Sequence, residues 1–238
     1  MKLHRFFVTT GFTKGEMRIA NLELVHQMRD VLKLHSGEVC ILFNATEQEA
    51  RATIVEYVEN ELVVSVDEVL EKKEENVKVV LYCAVLKREN FEFVVQKATE
   101  LGVFEVVPII TQRTIKTGIK QERLEKIATE ATEQSDHTRI PSIQKPMSFF
   151  DALHRAQDHD KVFVLHTEKS SNKNNISFPP KTSVSIGIFV GPEGGFTPEE
   201  IQKAQEYSYN IHTFPDMVLR AETAAIISVF WARNLLSS

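Results

Sequence analysis

The chain has 238 residues, 42% of them hydrophobic and 26% charged, with a formal net charge of −5. That composition supports a real core and excludes disorder, no apolar run approaches the ~20 residues that cross a bilayer, and the length suits one large or two small domains. Cys40 and Cys83 each lie inside an apolar run, VCILF and VVLYCAVL, which points to buried thiols and away from a disulfide, a zinc module or another metal site.

The acidity is local. Residues 1–33 carry six Lys/Arg against three Asp/Glu, residues 34–76 three against eleven, and residues 77–238 nineteen against nineteen. Arg113, Lys116, Lys120 and Arg123 fall close together with only Glu122 opposing them, and the first segment adds Arg5, Lys14, Arg18 and Arg29. Local charge decides contact with a polyanion, so these cations form either a phosphate-binding face or an ordinary solvated surface, with equal weight.

In chain order, the opening MKLHRFFVTTGFTKGEMR has no continuous apolar segment of the signal-peptide kind, so a cytoplasmic protein is expected. Short apolar segments at 39–43, 52–58 and 62–66, parted by polar turns, read as a small antiparallel β unit. The charged run EVLEKKEENVK suits a solvated connection and sets a boundary near residue 74, giving domains 1–74 and 75–238. Residues 77–86 are almost continuously apolar and are followed by Phe91, Val94, Val95, Ala98 and Leu101 at helical spacing, then Gly102. A buried strand and an amphipathic helix are predicted, followed by a strand at 103–110 and a helix around Leu124, Ile127, Ala128 and Ala131. This βαβα order implies a parallel α/β sheet. Strands at 162–165, 184–190 and 211–214 and helices at 198–207 and 221–236 complete five strands with helices on both faces. The connection after His166, TEKSSNKNNISFPPKT, has no helical face, so it is a functional loop or an unusual path.

Two segments carry candidate chemistry. GPEGGFTPEE follows a buried strand, and Thr197, Pro198 and Glu200 spell an N-cap, an N1 proline and the partner of a capping box. Gly191, Gly194 and Gly195 thus stand at the carboxyl end of a parallel strand, where open α/β sheets bind ligands. With no Walker lysine and no GxGxxG, and with Glu193 repelling phosphate, a cationic or zwitterionic ligand fits better; spacing alone also allows a plain tight turn. FPDMVLRAETAAI places Arg220 at a strand-to-helix junction with Glu222 in the first helical turn, either a cap or ion pair or part of a site. The eight histidines show no HExxH, and no GxSxG elbow is present.

These segments, together with RFFV, VHQMRDVLKLHSGE, QKATELGV leading into VPIITQRT, EATEQS and VLRAETA, resemble almost end to end the bacterial 16S ribosomal RNA uridine-N3 methyltransferases of the SPOUT superfamily. The resemblance implies a PUA-like β-barrel domain followed by an α/β domain with a deep trefoil knot, which would account for the helix-free connection. It implies a homodimer acting on 16S rRNA, within the small ribosomal subunit, with no membrane association. It also implies S-adenosylmethionine held by Leu165 and His166, by Gly191, Pro192, Glu193, Gly194 and Gly195, and by Phe214, Met217, Val218 and Leu219. Family members usually show VLR, EQSGR and LGxRxLRTETA; here Lys33, His137, Pro215, Met217 and Ala221 depart from that pattern.

For transfer to uracil N3, the expected catalytic residues are Arg220, stabilising charge developing on O2 or O4, and Glu222, orienting Arg220 or accepting the proton. Arg5, Arg29, Arg113, Lys116 and Arg139 are the expected phosphate contacts. The alternatives are a related methyltransferase acting on another rRNA or tRNA nucleotide, and a non-catalytic RNA-binding assembly factor.

Overall fold

A computed structural model describes residues 3–71, 76–115, 118–135, 137–167, 183–214 and 217–235. Lys116, Pro215 and nearly all of the helix-free connection after His166 lie outside the described residues. The chain parts into two compact units, Met1–Lys73 with Thr132–Ile140, and Glu74–Ala131 with Pro141–Ser238.

The first unit is built from β1 (Arg5–Val8), β2 (Gly15–Ala20), α1 (Leu22–Val25) continuing into π-helical turns at His26–Val31, β3 (Val39–Asn44), β4 (Gln48–Val58) and β5 (Glu61–Glu71). Its sheet runs β1-β3-β4-β5-β2, with β1 parallel to β3 and the other pairs antiparallel. The tight reversals flanking β4 carry Glu47 and Glu59 at φ 62° and 52°, left-handed conformations that let short connections reverse the chain. Alternate strand residues such as Leu42, Ala52, Ile54, Leu62 and Val64 turn to one face and bury Val25 and Met28 of the helical segment.

Thr132–Ile140 groups with this first unit instead of the segment 75–238 in which the sequence reading placed it. The reason is polar pairing. The Glu133 carboxylate accepts from the Phe7 amide at 3.1 Å and from Gln27 Nε2 at 3.3 Å, and Arg5 donates to the His137 carbonyl at 3.3 Å. Arg139 adds an ion pair with Glu47.

The second unit contains β6 (Val77–Ala84), α2 (Arg88–Glu100), β7 (Glu105–Ile110), most of α3 (Gln121–Gln134), β8 (Ser142–Ile143), β9 (Met147–Ser148), α4 (Phe149–Arg155), β10 (Lys161–Leu165), β11 (Val184–Val190), α5 (Pro198–Glu206), β12 (Asn210–His212) and α6 (Ala221–Asn234). Its sheet runs β12-β10-β11-β6-β7-β8, with β9 also on β7, and each pairing is parallel. Among the described residues seven strands stand where five were expected, because β8 and β9 are two residues each and too short to show a period. Val80, Tyr82 and Ala84 pack with Phe149 and Leu153 of α4 and Ala204 of α5. On the other face α6 lies over β6 and β11 and against α2. Both faces of β6 are therefore covered, which is why it reads as one unbroken apolar run.

Candidate active site at the carboxyl edge of the parallel sheet

Parallel strands bring all their carboxyl ends to one edge, and five connections meet there. In the order of the strands they follow β12, β10, β11, β6 and β7. A cleft of about 1120 Å³ opens along this edge. It is lined by Leu165 and His166, by Gly191, Pro192, Glu193, Gly194 and Gly195, by Phe214, Met217, Val218 and Leu219, and by Arg220 and Glu222. The structure thus gathers around a single space three segments that are far apart in the chain.

The glycine loop is shaped by backbone contact. A Cβ on Gly191 would lie 3.2 Å from both the Gly195 carbonyl carbon and the Phe196 nitrogen, so a side chain there would push the loop open. Gly195 holds φ +68°, and its amide donates to the Pro192 carbonyl at 2.8 Å. The loop then enters α5 through the capping box: Thr197 Oγ1 accepts from the Glu200 amide at 3.3 Å, and Glu200 accepts from the Thr197 amide at 2.8 Å. Glu200 is only 3% exposed, and its other oxygen accepts from the Gln112 amide at 2.9 Å, linking the loop after β7 to the loop after β11. Arg113 completes this link. It donates to the Gly194 carbonyl at 2.6 Å and to the Phe196 carbonyl at 3.4 Å, with its aliphatic stem against Gly194.

An aromatic wall closes one end. His212 stacks on Trp231 with centroids 4.3 Å apart and planes at 22°, while Phe214 and Phe163 meet this pair edge-on. The His166 amide donates to the His212 carbonyl at 3.0 Å, extending the β10–β12 ladder one residue past Leu165. Burial holds the His212 imidazole pKa below its ordinary value. Neither His212 nor Trp231 was singled out from sequence, since no spacing marked them; the alternation of aromatics along IHTF is the only local hint.

Arg220 is the N-cap of α6, and its carbonyl accepts from the Ala224 amide at 2.8 Å. Its guanidinium is exposed, and no carboxylate pairs with it among the described residues; in particular no ion pair joins it to Glu222, so the orienting contact expected from sequence is not made. Cys83, the penultimate residue of β6, is buried, and burial pushes its thiol up to about 12, with the Glu193 and Glu222 carboxylates acting in the same direction.

The expected phosphate contacts are placed differently. The Arg5 side chain is 9% exposed and is held by Glu49 at 2.6 Å, so it serves the interior of the first unit. Arg139 is drawn to Glu47 in the same way, and Arg29 pairs with Asp30 at 2.8 Å while staying 45% exposed. Glu47 and Glu49 flank the start of β4, and this local acidity takes up two of the cations. Arg113 braces the glycine loop, as described. Among the described residues no group of three or more His, Cys, Asp or Glu could hold a metal ion, and no helix is long and apolar enough to cross a membrane.

Comparison with known proteins agrees with this geometry. Residues 73–233 match the model of an RNA methyltransferase domain. The chain is 30% identical over 240 residues to ribosomal RNA small subunit methyltransferase E of Rickettsia conorii, covering 99% of this chain and 97% of that protein. It is 33% identical over 233 residues to the protein of the same name from Mesomycoplasma hyopneumoniae, covering 94% and 96%. Among solved structures, a Legionella pneumophila methyltransferase in complex with its cofactor S-adenosylmethionine superimposes with a TM-score of 0.86 at 27% identity, covering 98% of each chain.

Proposed function

This chain belongs to the ribosomal RNA small subunit methyltransferase E family of RNA methyltransferases, and on that premise we propose that it transfers a methyl group from S-adenosylmethionine to N3 of a uridine in 16S rRNA. The observation that carries the reading is the cleft itself, where the glycine loop, the aromatic wall and Arg220 face one space. The residues suit the cofactor. The tight Gly191–Gly195 approach leaves a backbone cradle free of side chains, the wall of Phe214 and His212 offers an apolar surface to a purine ring, and Glu193 and Glu222 favour a cation.

When bound, the cofactor supplies an electrophilic methyl group whose bond to sulfur breaks as the bond to N3 forms, leaving a neutral thioether. The protein must therefore remove the N3 proton and stabilise the charge left on the pyrimidine. Arg220, exposed in the cleft without a carboxylate partner, donates to O2 or O4 as that charge develops, in the manner of an oxyanion hole. Glu222, the second residue of α6, is the carboxylate that takes the proton. Holding donor and acceptor in line supplies several kcal/mol of the barrier. The target base must leave its stack to enter.

The same reading carries a trefoil knot in the second unit, a PUA-like RNA-binding barrel in the first, a homodimer, the small ribosomal subunit as the substrate particle and a cytoplasmic location. The test is Arg220→Ala: single-turnover methylation of small subunits falls by at least ~100-fold, as for loss of one oxyanion donor, while calorimetric affinity for S-adenosylmethionine is retained. Normal single-turnover methylation by this variant refutes the role of Arg220, and mapping the methylated nucleotide decides the target.

A further inference from the structure

The cleft is larger than one ligand needs. At about 1120 Å³ it exceeds the ~300–1,000 Å³ that houses a drug-sized molecule. Its two ends differ in kind. Over β12, β10 and β11 lie the aromatic wall and the glycine loop; over β6 and β7 lie Lys87, Asn90 and Arg113, all lining the same space. Arg220 and Glu222, at the start of α6, line the same space. A methyl donor filling the first end leaves the second for the acceptor, with Arg220 where the two meet.

The state of the polar groups at that second end is informative. Arg113 is committed to the Gly194 and Phe196 carbonyls. Arg88, next to Lys87, folds back onto Glu92 of its own helix at 2.9 Å. Lys87, by contrast, is exposed: its carbonyl accepts from the Phe91 amide at 3.0 Å, but its ammonium makes no hydrogen bond or ion pair among the described residues, and the half-buried Asn90 side-chain amide likewise has none. An ammonium and an amide with open hydrogen-bonding capacity, one turn apart on the wall of this cleft, are free to bind a ligand that enters it.

We propose that the turn at residues 87–90 is the acceptor-nucleotide subsite: the Lys87 ammonium binds the phosphate of the target nucleotide in unpaired RNA, and the Asn90 amide hydrogen-bonds its base. This deepens the methyl-transfer reading and rests on it. Lysine suits a point contact to phosphate, and Asn90 can donate to a pyrimidine carbonyl while N3 faces the donor. Because the contacts are made to an extruded nucleotide, they act on RNA and leave the cofactor untouched.

The experiment uses the full chain with small ribosomal subunits and radiolabelled S-adenosylmethionine. For Lys87→Ala the KM for the RNA particle rises roughly tenfold, and the slope of log binding constant against log salt falls by about 0.7, the value of one lost phosphate contact to a single strand. Lys87→Arg restores the slope. For Asn90→Ala kcat/KM falls roughly tenfold with the salt slope unchanged. In both Ala variants the calorimetric Kd for S-adenosylmethionine stays within about twofold of the parent, which also reports a folded cleft. Unchanged RNA KM and salt slope in Lys87→Ala overturn the subsite, as does a loss of cofactor affinity that accounts for the defect. Failure of the unaltered protein to methylate any ribosomal particle strikes the underlying reading instead.

Discussion

Replacing Glu200 with alanine tests how the cleft is held in shape. Its carboxylate accepts from the Thr197 amide at 2.8 Å and the Gln112 amide at 2.9 Å while only 3% exposed. Hydrogen bonds to a charged group contribute about 1.5–3 kcal/mol each, and the donors left behind add a desolvation cost when buried. The Thr197 amide is fully buried and the Gln112 amide only partly, so the loss is about 3–4 kcal/mol. That corresponds to a fall in Tm of about 10 °C for a chain of this size. Urea unfolding followed through Trp231, the single tryptophan of the chain, reads the second unit directly. Glu200→Gln, which keeps one acceptor oxygen, falls between parent and alanine variant, and Thr197→Ala costs about 1 kcal/mol as an ordinary lost cap. Affinity for S-adenosylmethionine declines with stability, because the Gln112 link and the cap both fix the carboxyl end of the glycine loop. A loss below about 1 kcal/mol for Glu200→Ala, less than a single charged hydrogen bond, shows that the carboxylate does not hold these loops.

Gly191→Ala abolishes cofactor binding in calorimetry, because the new methyl group meets backbone atoms at 3.2 Å, whereas Gly194→Ala binds within a few-fold of the parent, since only the flexible Arg113 side chain must move; equal losses in the two variants contradict the cradle. Burial depresses the pKa values of His212 and His159, so the unfolded chain takes up protons near the ordinary value of 6.5 that the folded chain refuses. The stability they support is complete above that pH and is lost as the pH falls toward the folded values. Fluorescence of Trp231, quenched more strongly by a stacked imidazolium than by a neutral ring, therefore titrates with a midpoint below 6.5 that His212→Asn removes; a midpoint at or above 6.5 contradicts the burial argument. In the first unit, Glu133→Ala frees the Phe7 amide and speeds its hydrogen exchange at least ~10-fold, the effect of about 1.4 kcal/mol of lost local protection; unchanged exchange means that Thr132–Ile140 is held by other contacts.

What could be read in the sequence follows from how much each residue's neighbours in the chain determine its place. β6 and β11 sit between two covered faces, and their unbroken apolar runs show it. The capping box of α5 is spelled by three residues within one turn, and the glycine loop before it is equally local. β8 and β9 are two residues each, too short for any period, and β1 and β2 were passed over because four and six residues with mixed burial resemble a loop. The aromatic wall depends on His212 and Trp231, nineteen positions apart and joined only by the packing of α6, and no spacing rule connects them. The grouping of Thr132–Ile140 with the first unit rests on partners more than 90 residues away in the chain, among them the Glu133 carboxylate and the Phe7 amide, 126 positions apart.

The cations show the same limit most sharply. Charge along the chain and the family resemblance together point to Arg5, Arg29 and Arg139 as phosphate contacts, yet the segment 34–76 that makes the protein acidic also supplies Glu47 and Glu49, which take up Arg139 and Arg5. A net charge of −5 then ceases to argue against an RNA substrate. Among the described residues Lys87 and Arg220 are two cations without a carboxylate partner that line one cleft, and polyanion binding there depends on them. Binding built on a few phosphate contacts has a shallow salt dependence, since each contributes only ~0.7–0.9 to the slope. Affinity of this kind is set by where the cations stand and by the shape of the extruded nucleotide, so the acidic surface can reject non-specific RNA while the cleft accepts its target.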